Sequence, residues 1–119
     1  MDALEELEVW KRSKQLAVSI YKILRFCRDR GYKDQITRAS ISVPSNIAEG
    51  YERYSKKEFV QYLYIARGSL YETITLLIIF NKNKWISEVL LDEMKAFGNE
   101  IGKMLSGLIN SIKNSQVSS

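Results

Sequence analysis

Apolar residues recur every three to four positions along four segments of this sequence, which is the spacing of amphipathic helices. We expect helices at about residues 8–29, 33–49, 55–81 and 87–113. The apolar faces of the first two comprise Val9, Leu16, Ala17, Ile20, Ile23, Leu24 and Cys27, and then Ile36, Ala39, Ser40, Val43 and Ile47. Those of the last two comprise Phe59, Tyr62, Leu63, Ala66, Ser69, Leu70, Thr73, Leu77 and Phe80, and then Leu90, Met94, Phe97, Ile101, Leu105, Leu108 and Ile112. The pattern predicts one all-α domain over residues 1–119, an up-down-up-down antiparallel four-helix bundle.

Local signals mark the expected helix ends. Ser55 and Glu58 have the spacing of a capping box, and Ser87 can cap the fourth helix. Gly31 suits the left-handed residue that follows a helix, and Gly50 lies just past the end of the second helix. These positions support the four segments and the short connections between them.

Pro44 lies inside the second predicted helix. Because proline has no N–H to donate to the carbonyl of Ser40 and its ring clashes with that carbonyl, we expect the helix to bend there. At the other end of the chain, residues 114–119 are polar and are expected to form a flexible tail.

The third helix carries a second apolar stripe about 100° from its core face. Its residues are Val60, Tyr64, Arg67, Tyr71, Ile74 and Ile78. A helix that is apolar on two sides needs two partners, so we expect the stripe to pack on another subunit of a homo-oligomer. The alternative is a bundle skewed enough to cover the stripe itself.

The net charge of +4 is unevenly distributed along the chain. Residues 1–8 carry −4, residues 9–67 carry +8 and residues 68–119 are balanced. The outer face of the first helix holds five candidate phosphate-binding residues: Lys11, Lys14, Lys22, Arg25 and Arg28. Trp10 and Tyr21 flank this face and could stack on bases. The hypothesis is RNA or DNA backbone binding without strong sequence preference, and the alternative is an ordinary solvated surface.

The composition argues against the usual chemistry of helix bundles. The chain has no histidine, which excludes Glu-x-x-His di-metal sites and histidine-ligated haem, and its single cysteine, Cys27, provides neither a zinc ligand set nor an intramolecular disulfide. None of the four apolar faces contains an acid, and no Gly-rich phosphate loop is present. We expect no catalytic or metal site and no cofactor. With no signal peptide and no apolar run of roughly 18 residues, we also expect a cytoplasmic protein without a membrane partner.

One string in the second helix points to a family. Residues 35–50 read Gln-Ile-Thr-Arg-Ala-Ser-Ile-Ser-Val-Pro-Ser-Asn-Ile-Ala-Glu-Gly, with Arg53 and Ser55-Lys-Lys-Glu-Phe after them. Together with Leu7-Glu-Val-Trp-Lys and Ala66-Arg-Gly-Ser-Leu-Tyr-Glu, this string resembles the small helical-bundle proteins first known from intervening sequences in 23S ribosomal RNA genes. The resemblance extends from about Leu7 to Leu108. It departs between Phe26 and Gln35, where the family usually has Phe-Pro and a slightly longer loop.

The resemblance implies a non-enzymatic homo-oligomer, a ring of five subunits in known relatives. It also implies similarity to accessory proteins of diversity-generating retroelements, which bind a reverse transcriptase and nucleic acid; by analogy, a reverse transcriptase or another protein is a candidate partner. The motif supplies polar residues that we expect to form a network fixing how helices or subunits dock: Arg38, Ser45, Asn46, Glu49, Arg53 and Glu72.

Overall fold

The computed structural model describes residues 2–118 of the chain and the side chains of residues 3–115. Within that range the protein is all-α, with five helices and no strand. The helices are α1 (Asp2–Glu5), α2 (Glu8–Ile23), α3 (Arg30–Tyr51), α4 (Lys56–Lys82) and α5 (Glu88–Ser118). Their packing is consistent with an elongated bundle of 51 × 22 × 21 Å.

The first long helix is shorter than expected and is preceded by an additional turn. The single turn α1 buries Leu4 completely. Helix α2 ends at Ile23, although the sequence predicts an end near residue 29. Asp29 explains the difference, because its carboxylate accepts a hydrogen bond from the Tyr32 amide at 3.1 Å and so begins α3 at Arg30. The assignment of Gly31 to a helix end is therefore wrong.

Helix α3 runs without interruption through Pro44 and ends at Tyr51, past its expected end. The predicted core face of this helix is buried throughout, from Ile36 to Ile47. Gly50 also lies inside the helix and is buried, rather than beyond its end.

The caps of α4 and α5 match the sequence prediction. Ser55 Oγ accepts a hydrogen bond from the Glu58 amide at 3.2 Å, and Ser87 Oγ accepts one from the Leu90 amide at 3.1 Å. The expected tail differs: α5 continues to Ser118, and of residues 114–119 only Ser119 lies outside the described residues.

Helix α4 packs against both α3 and α5. The pairs Tyr32–Leu76 and Ser42–Ser69 join α3 to α4, and Lys56–Ser115 and Arg67–Ser106 join α4 to α5. In each pair of helices the start of one therefore lies beside the end of the other. The buried face of α5 is rotated from the predicted one: Leu90, Phe97, Leu108 and Ile112 are half-buried, whereas Leu91, Gly98, Gly102 and Ile109 are buried.

Two glycines allow helices to approach α4 closely. A Cβ on Gly50 of α3 would lie 2.6 Å from Tyr62 Cβ and 2.9 Å from Phe59 Cδ1. A Cβ on Gly98 of α5 would lie 2.8 Å from Ile74 Cδ1. At Gly50 an added Cβ would meet the Cβ and backbone of α4, so no side chain fits there, whereas at Gly98 the nearest atom is the end of the Ile74 side chain, which would have to shift.

Helix α4 is long and apolar enough to cross a membrane, judged on length and composition among the described residues. The expectation that no segment reaches that length is therefore wrong. An 18-residue window has a mean hydropathy of 1.4, and 39% of the window is buried inside the protein. Because the core helix of a soluble protein has the same properties, this is weak evidence for a span.

Substituting Gly50 tests the close packing of α3 on α4. Gly50→Ala should lower the free energy of unfolding by about 1–3 kcal/mol, because the added methyl overlaps the Cβ of Tyr62, which is close to the backbone and cannot rotate away. Gly107→Ala is the matched control: nothing lies within 4 Å of its added Cβ, so alanine should stabilise α5 by up to about 1 kcal/mol. Urea denaturation measures both. Equal effects of the two substitutions would contradict the packing.

Candidate nucleic-acid interface

The α2–α3 and α4–α5 connections lie together at one end of the molecule. We call residues 21–34 and 81–88 the basic end. They contain seven of the 18 basic residues and three of the 14 acidic residues. Their net charge of +4 equals that of the whole chain, because the remaining eleven bases and eleven acids balance. The bases are Lys22, Arg25, Arg28, Arg30, Lys33, Lys82 and Lys84, and all except the half-buried Lys33 are exposed.

A tight connection follows α2 and places Phe26 in solvent. At the end of α2 the Leu24 amide donates a hydrogen bond to the Ile20 carbonyl at 3.0 Å, and the Cys27 amide then donates one to the Leu24 carbonyl at 2.9 Å. Lys33 Nζ lies 3.5 Å from the Arg25 carbonyl and closes the connection against α3. Leu24 is buried, whereas the Phe26 ring is 81% exposed, with the Arg25 guanidinium 4.8 Å from its centroid.

The other connection is a Schellman motif that holds a lysine in the left-handed region. Lys84 has φ 62°, its amide bonds to the Asn81 carbonyl at 2.9 Å, and the Trp85 amide bonds to the Phe80 carbonyl at 3.0 Å. The hydrophobic contact that accompanies this motif is formed by Trp85 and Phe80, whose ring centroids are 4.9 Å apart. Glycine is the usual residue at the Lys84 position, so Lys84 carries a conformational cost there.

Trp85 is fixed from two sides but remains 45% exposed. The Tyr32 ring contacts the rings of Phe80 and Trp85 edge-on, at 4.0 and 5.5 Å between centroids. The Tyr32 hydroxyl donates to the Leu76 carbonyl at 2.7 Å, and burial first and the charge of Asp29 second raise the pKa of Tyr32. Tyr32 therefore joins the start of α3 to the end of α4 and supports the tryptophan.

An open pocket of about 400 Å³ lies between the two connections. Its walls are formed by Ile23, Leu24, Phe26, Cys27, Arg28, Asp29 and Trp85. The pocket combines apolar walls with one basic and one acidic side chain, Arg28 and Asp29, and the Arg25 guanidinium lies against the Phe26 ring. Its walls come from residues 23–29 and from Trp85, 56 positions after Asp29, so the spacing pattern of the sequence does not bring Lys82, Lys84 and Trp85 together with the residues after α2.

The predicted basic stripe is divided by the structure. Because α2 ends at Ile23, Arg25 and Arg28 do not lie on a helical face with Lys11 and Lys14, and the predicted continuous stripe is wrong. Lys22, Arg25 and Arg28 belong to the basic end. At the opposite end of α2, acidic residues accompany the bases: Lys11 Nζ lies 3.5 Å from Glu8 Oε1, and Glu5 lines a shallow pocket with Trp10, Lys11 and Lys14. The Lys14 ammonium lies 5.0 Å from the Trp10 ring centroid.

Helix α5 of the same chain covers much of the second stripe of α4. Val60 is buried, Arg67 Nη1 donates to Ser106 Oγ at 3.1 Å, and Ile74 contacts Gly98. Lys113 Nζ donates to the Tyr64 hydroxyl at 2.9 Å, which lowers the pKa of Tyr64.

The premise that the stripe lacks a partner within its own chain is therefore wrong, since the glycines of α5 admit the side chains of α4. Ile78 is half-buried, and Tyr64 and Tyr71 remain exposed. Two exposed isoleucines, Ile65 and Ile79, lie on a neighbouring line of α4. The contact of the second stripe with another subunit stays a prediction.

The family model described as "23S rRNA-intervening sequence protein" matches residues 5–107. The chain belongs to this family. A solved structure of a protein of unknown function from the S23 ribosomal protein family of Bacteroides thetaiotaomicron is similar, with 25% sequence identity and a TM-score of 0.80. The match covers 86% of this chain and 95% of that one. No curated protein matches the sequence significantly.

The motif through which the sequence resembles the 23S rRNA-intervening sequence proteins lies along the α3–α4 contact. Asn46 Nδ2 donates to the Ser42 carbonyl and hydroxyl, both at 2.8 Å, and Ser42 Oγ lies 2.9 Å from Ser69 Oγ. Arg38 and Glu72 line one open groove beside Ser42 and Ser69. Asn46 therefore bonds within α3 to Ser42, and Ser42 makes the contact with α4, whereas Ser45 lies on the exposed side of α3.

The other end of the motif forms a second group of contacts. Arg53 pairs with Glu49 and donates to the Tyr62 hydroxyl at 2.7 Å, and Tyr62 first and Glu49 after it raise the pKa of Arg53. Within one chain, the Ser42–Ser69 and Arg53–Tyr62 contacts of the motif region reach α4, whereas the bonds of Asn46 and Glu49 stay within residues 42–53. No group of three or more potential metal-ligating side chains is found among the described residues.

Tyr32 should make stability depend on alkaline pH. Its raised pKa means that the neutral phenol, which donates to Leu76, contributes stability that is fully present below the ordinary value of about 10 and is lost as the pH rises through the folded value. Tyr32→Phe should cost roughly 1 kcal/mol at neutral pH, with the difference from the parent shrinking above about pH 10.

Urea denaturation at neutral and alkaline pH measures this difference. The control is Tyr54→Phe, because the Tyr54 side chain is fully exposed. The difference in unfolding free energy between this variant and the parent should not shrink at alkaline pH. A constant difference between Tyr32→Phe and the parent across that range would contradict the assignment of the shifted phenol.

Proposed function

We propose that this protein is a non-enzymatic, homo-oligomeric, cytoplasmic accessory factor that binds the phosphate backbone of RNA or DNA. The observation that carries the proposal is the concentration of the chain's entire net charge of +4 at one end of a molecule 51 Å long. A local excess of exposed Lys and Arg attracts polyanions, whereas balanced charge elsewhere does not. The family description names a ribosomal RNA intervening sequence, which is a nucleic-acid context.

Charge and chemistry favour backbone binding over base recognition. Arg28 and Lys84 are exposed and lie on short connections, and Lys22 is exposed in the last turn of α2, so these bases do not line one helix shaped to enter a groove. Flexible cationic side chains position a phosphate backbone but carry no sequence information. A reverse transcriptase or another protein bound to the same nucleic acid remains a candidate partner.

The proposed architecture is an up-down-up-down bundle of α2 to α5, with α3 bent at Pro44. The pairing of helix starts with helix ends across α3–α4 and α4–α5 supports this topology. In an oligomer whose subunits point the same way, the basic ends form one rim. A ring of five is the number that the resemblance suggests.

The second candidate function is a structural or protein-binding oligomer without nucleic acid. It is favoured by the exposed apolar residues Ile41 of α3 and Ile65, Tyr71 and Ile79 of α4, because phosphate binding makes no use of them. Ile65, Glu72 and Ile79 follow one another at seven-residue spacing, so the two isoleucines lie on one face of α4, about 21 Å apart. This surface is where the oligomer contact is proposed.

Charge reversal tests nucleic-acid binding. Lys22→Glu combined with Arg25→Glu should abolish binding, because it places two acids in the basic end. For the parent, log K should fall by roughly 0.9 per phosphate neutralised for each tenfold rise in salt on duplex DNA, and by roughly 0.7 on single strands. The matched control, Lys57→Glu with Lys103→Glu, gives the same formal net charge outside the basic end and should retain binding. If the parent binds neither RNA nor DNA at low salt, the structural oligomer is the better proposal.

Light scattering tests the oligomer independently. The parent should have a mass that is a multiple of 13.8 kDa, five times that value for the proposed ring. Ile65→Glu with Ile79→Glu should give the monomer mass, because two carboxylates would lose their hydration in the contact. Val89→Glu, at an equally apolar exposed site on α5, is the control. A monomeric parent at micromolar concentration would rule out the oligomer.

A further inference from the structure

We infer that the pocket at the basic end binds an unstacked base of single-stranded nucleic acid, with Phe26 and Trp85 as its stacking surfaces. This inference rests on the proposed function and adds the kind of nucleic acid. Phe26 is 81% exposed and Trp85 is 45% exposed, and both line the same open pocket of about 400 Å³. Pockets of roughly 300–1,000 Å³ hold drug-sized ligands, so one base fits within this volume.

The combination of residues is that of a single-strand site. Proteins that bind single strands pair a cationic path for the backbone with aromatic rings on which bases stack, and stacking does not depend on base identity. Here Arg28 lines the pocket together with Asp29, whose carboxylate accepts a hydrogen bond from the Tyr32 amide, while Arg25 lies against Phe26 and Lys84 precedes Trp85. A duplex keeps its bases paired and stacked, so it can use the cations but not the rings.

The two rings differ in how firmly they are held. Trp85 is held by ring contacts with Phe80 and Tyr32 and by the hydrogen bond from its own amide to the Phe80 carbonyl. It therefore forms a rigid wall. Phe26 lies on the short connection after α2 and is mostly exposed, with the Arg25 guanidinium 4.8 Å from its ring centroid. A base between them would cover the exposed ring of Phe26.

A comparison of single-strand binding with duplex binding distinguishes this inference from the proposed function, because only the inference requires unstacked bases. We measure binding of labelled oligothymidylate, oligouridylate and a DNA duplex with the same number of phosphates, at low salt. Phe26→Ala should weaken single-strand binding by roughly five- to a hundredfold and leave duplex binding nearly unchanged. Tyr54→Ala is the control, because Tyr54 is as exposed as a tyrosine can be, at 107%, but lies outside the basic end.

Trp85 provides a second readout that does not depend on affinity. Trp10 and Trp85 are the only tryptophans in the sequence, so Trp10→Phe leaves Trp85 as the single reporter. Oligothymidylate should quench its fluorescence, and binding should slow the reaction of a thiol reagent with Cys27, which lines the same pocket. Lys84→Gly should weaken binding although it relieves the left-handed strain, so weaker binding by that variant cannot be ascribed to unfolding.

Four results would overturn the inference. They are equal effects of Phe26→Ala on single strands and duplexes, no effect on either, unchanged Trp85 fluorescence in bound complexes, and displacement of the oligonucleotide by vesicles of anionic phospholipid that bind more tightly. If Lys22→Glu with Arg25→Glu abolishes binding while Phe26→Ala leaves it intact, backbone binding stands and the stacking site falls. If the parent binds no nucleic acid, the proposed function fails first.

Discussion

The structure depends on the burial of α4, a helix with apolar residues on more than one side, so that packing against a single neighbour would leave apolar surface in water. Helix α3 covers one side and α5 covers another, and each approaches closely because a glycine faces a side chain of α4: Gly50 opposite Tyr62, and Gly98 opposite Ile74. Such contacts gain dispersion and remove apolar surface from water along the whole interface. The polar bonds that cross these interfaces, such as Ser42–Ser69 and Arg67–Ser106, then select one register among the apolar alternatives.

This packing determines where the charged connections lie. When α4 pairs with α3 and α5 start to end, the residues before α3 and those after α4 meet at the same end of the molecule. Tyr32 makes the junction explicit, since its ring contacts Trp85 and its hydroxyl contacts Leu76. The charge of two chain segments, each modest alone, therefore adds up at one surface. Along the sequence, the only visible sign of this charge is an excess of basic residues in the first half of the chain.

Local signals were predictable and close approaches were not. The Ser55 cap and the buried face of α3 follow from residue type and spacing, which act over one or two turns. The early end of α2 depends on Asp29, which caps α3 and therefore cannot also belong to α2. The two helices compete for the residues between them. The coverage of the α4 stripe depends on Gly98, whose role exists only once α5 lies beside Ile74. The pocket was missed for the same reason, because Phe26 and Trp85 become neighbours only through tertiary packing.

The basic end also shows how one residue can serve stability and a surface together. Trp85 completes the helix-ending motif through its amide and its contact with Phe80, so its indole cannot move freely, yet nearly half of it reaches solvent. A ring already fixed by the fold loses little side-chain entropy when a ligand contacts it. Lys84, in contrast, has a conformational cost, since it holds a left-handed conformation that glycine would adopt without strain. That lysine places a positive charge immediately before the fixed ring, and strain retained at such a position is consistent with a binding role for this end of the protein.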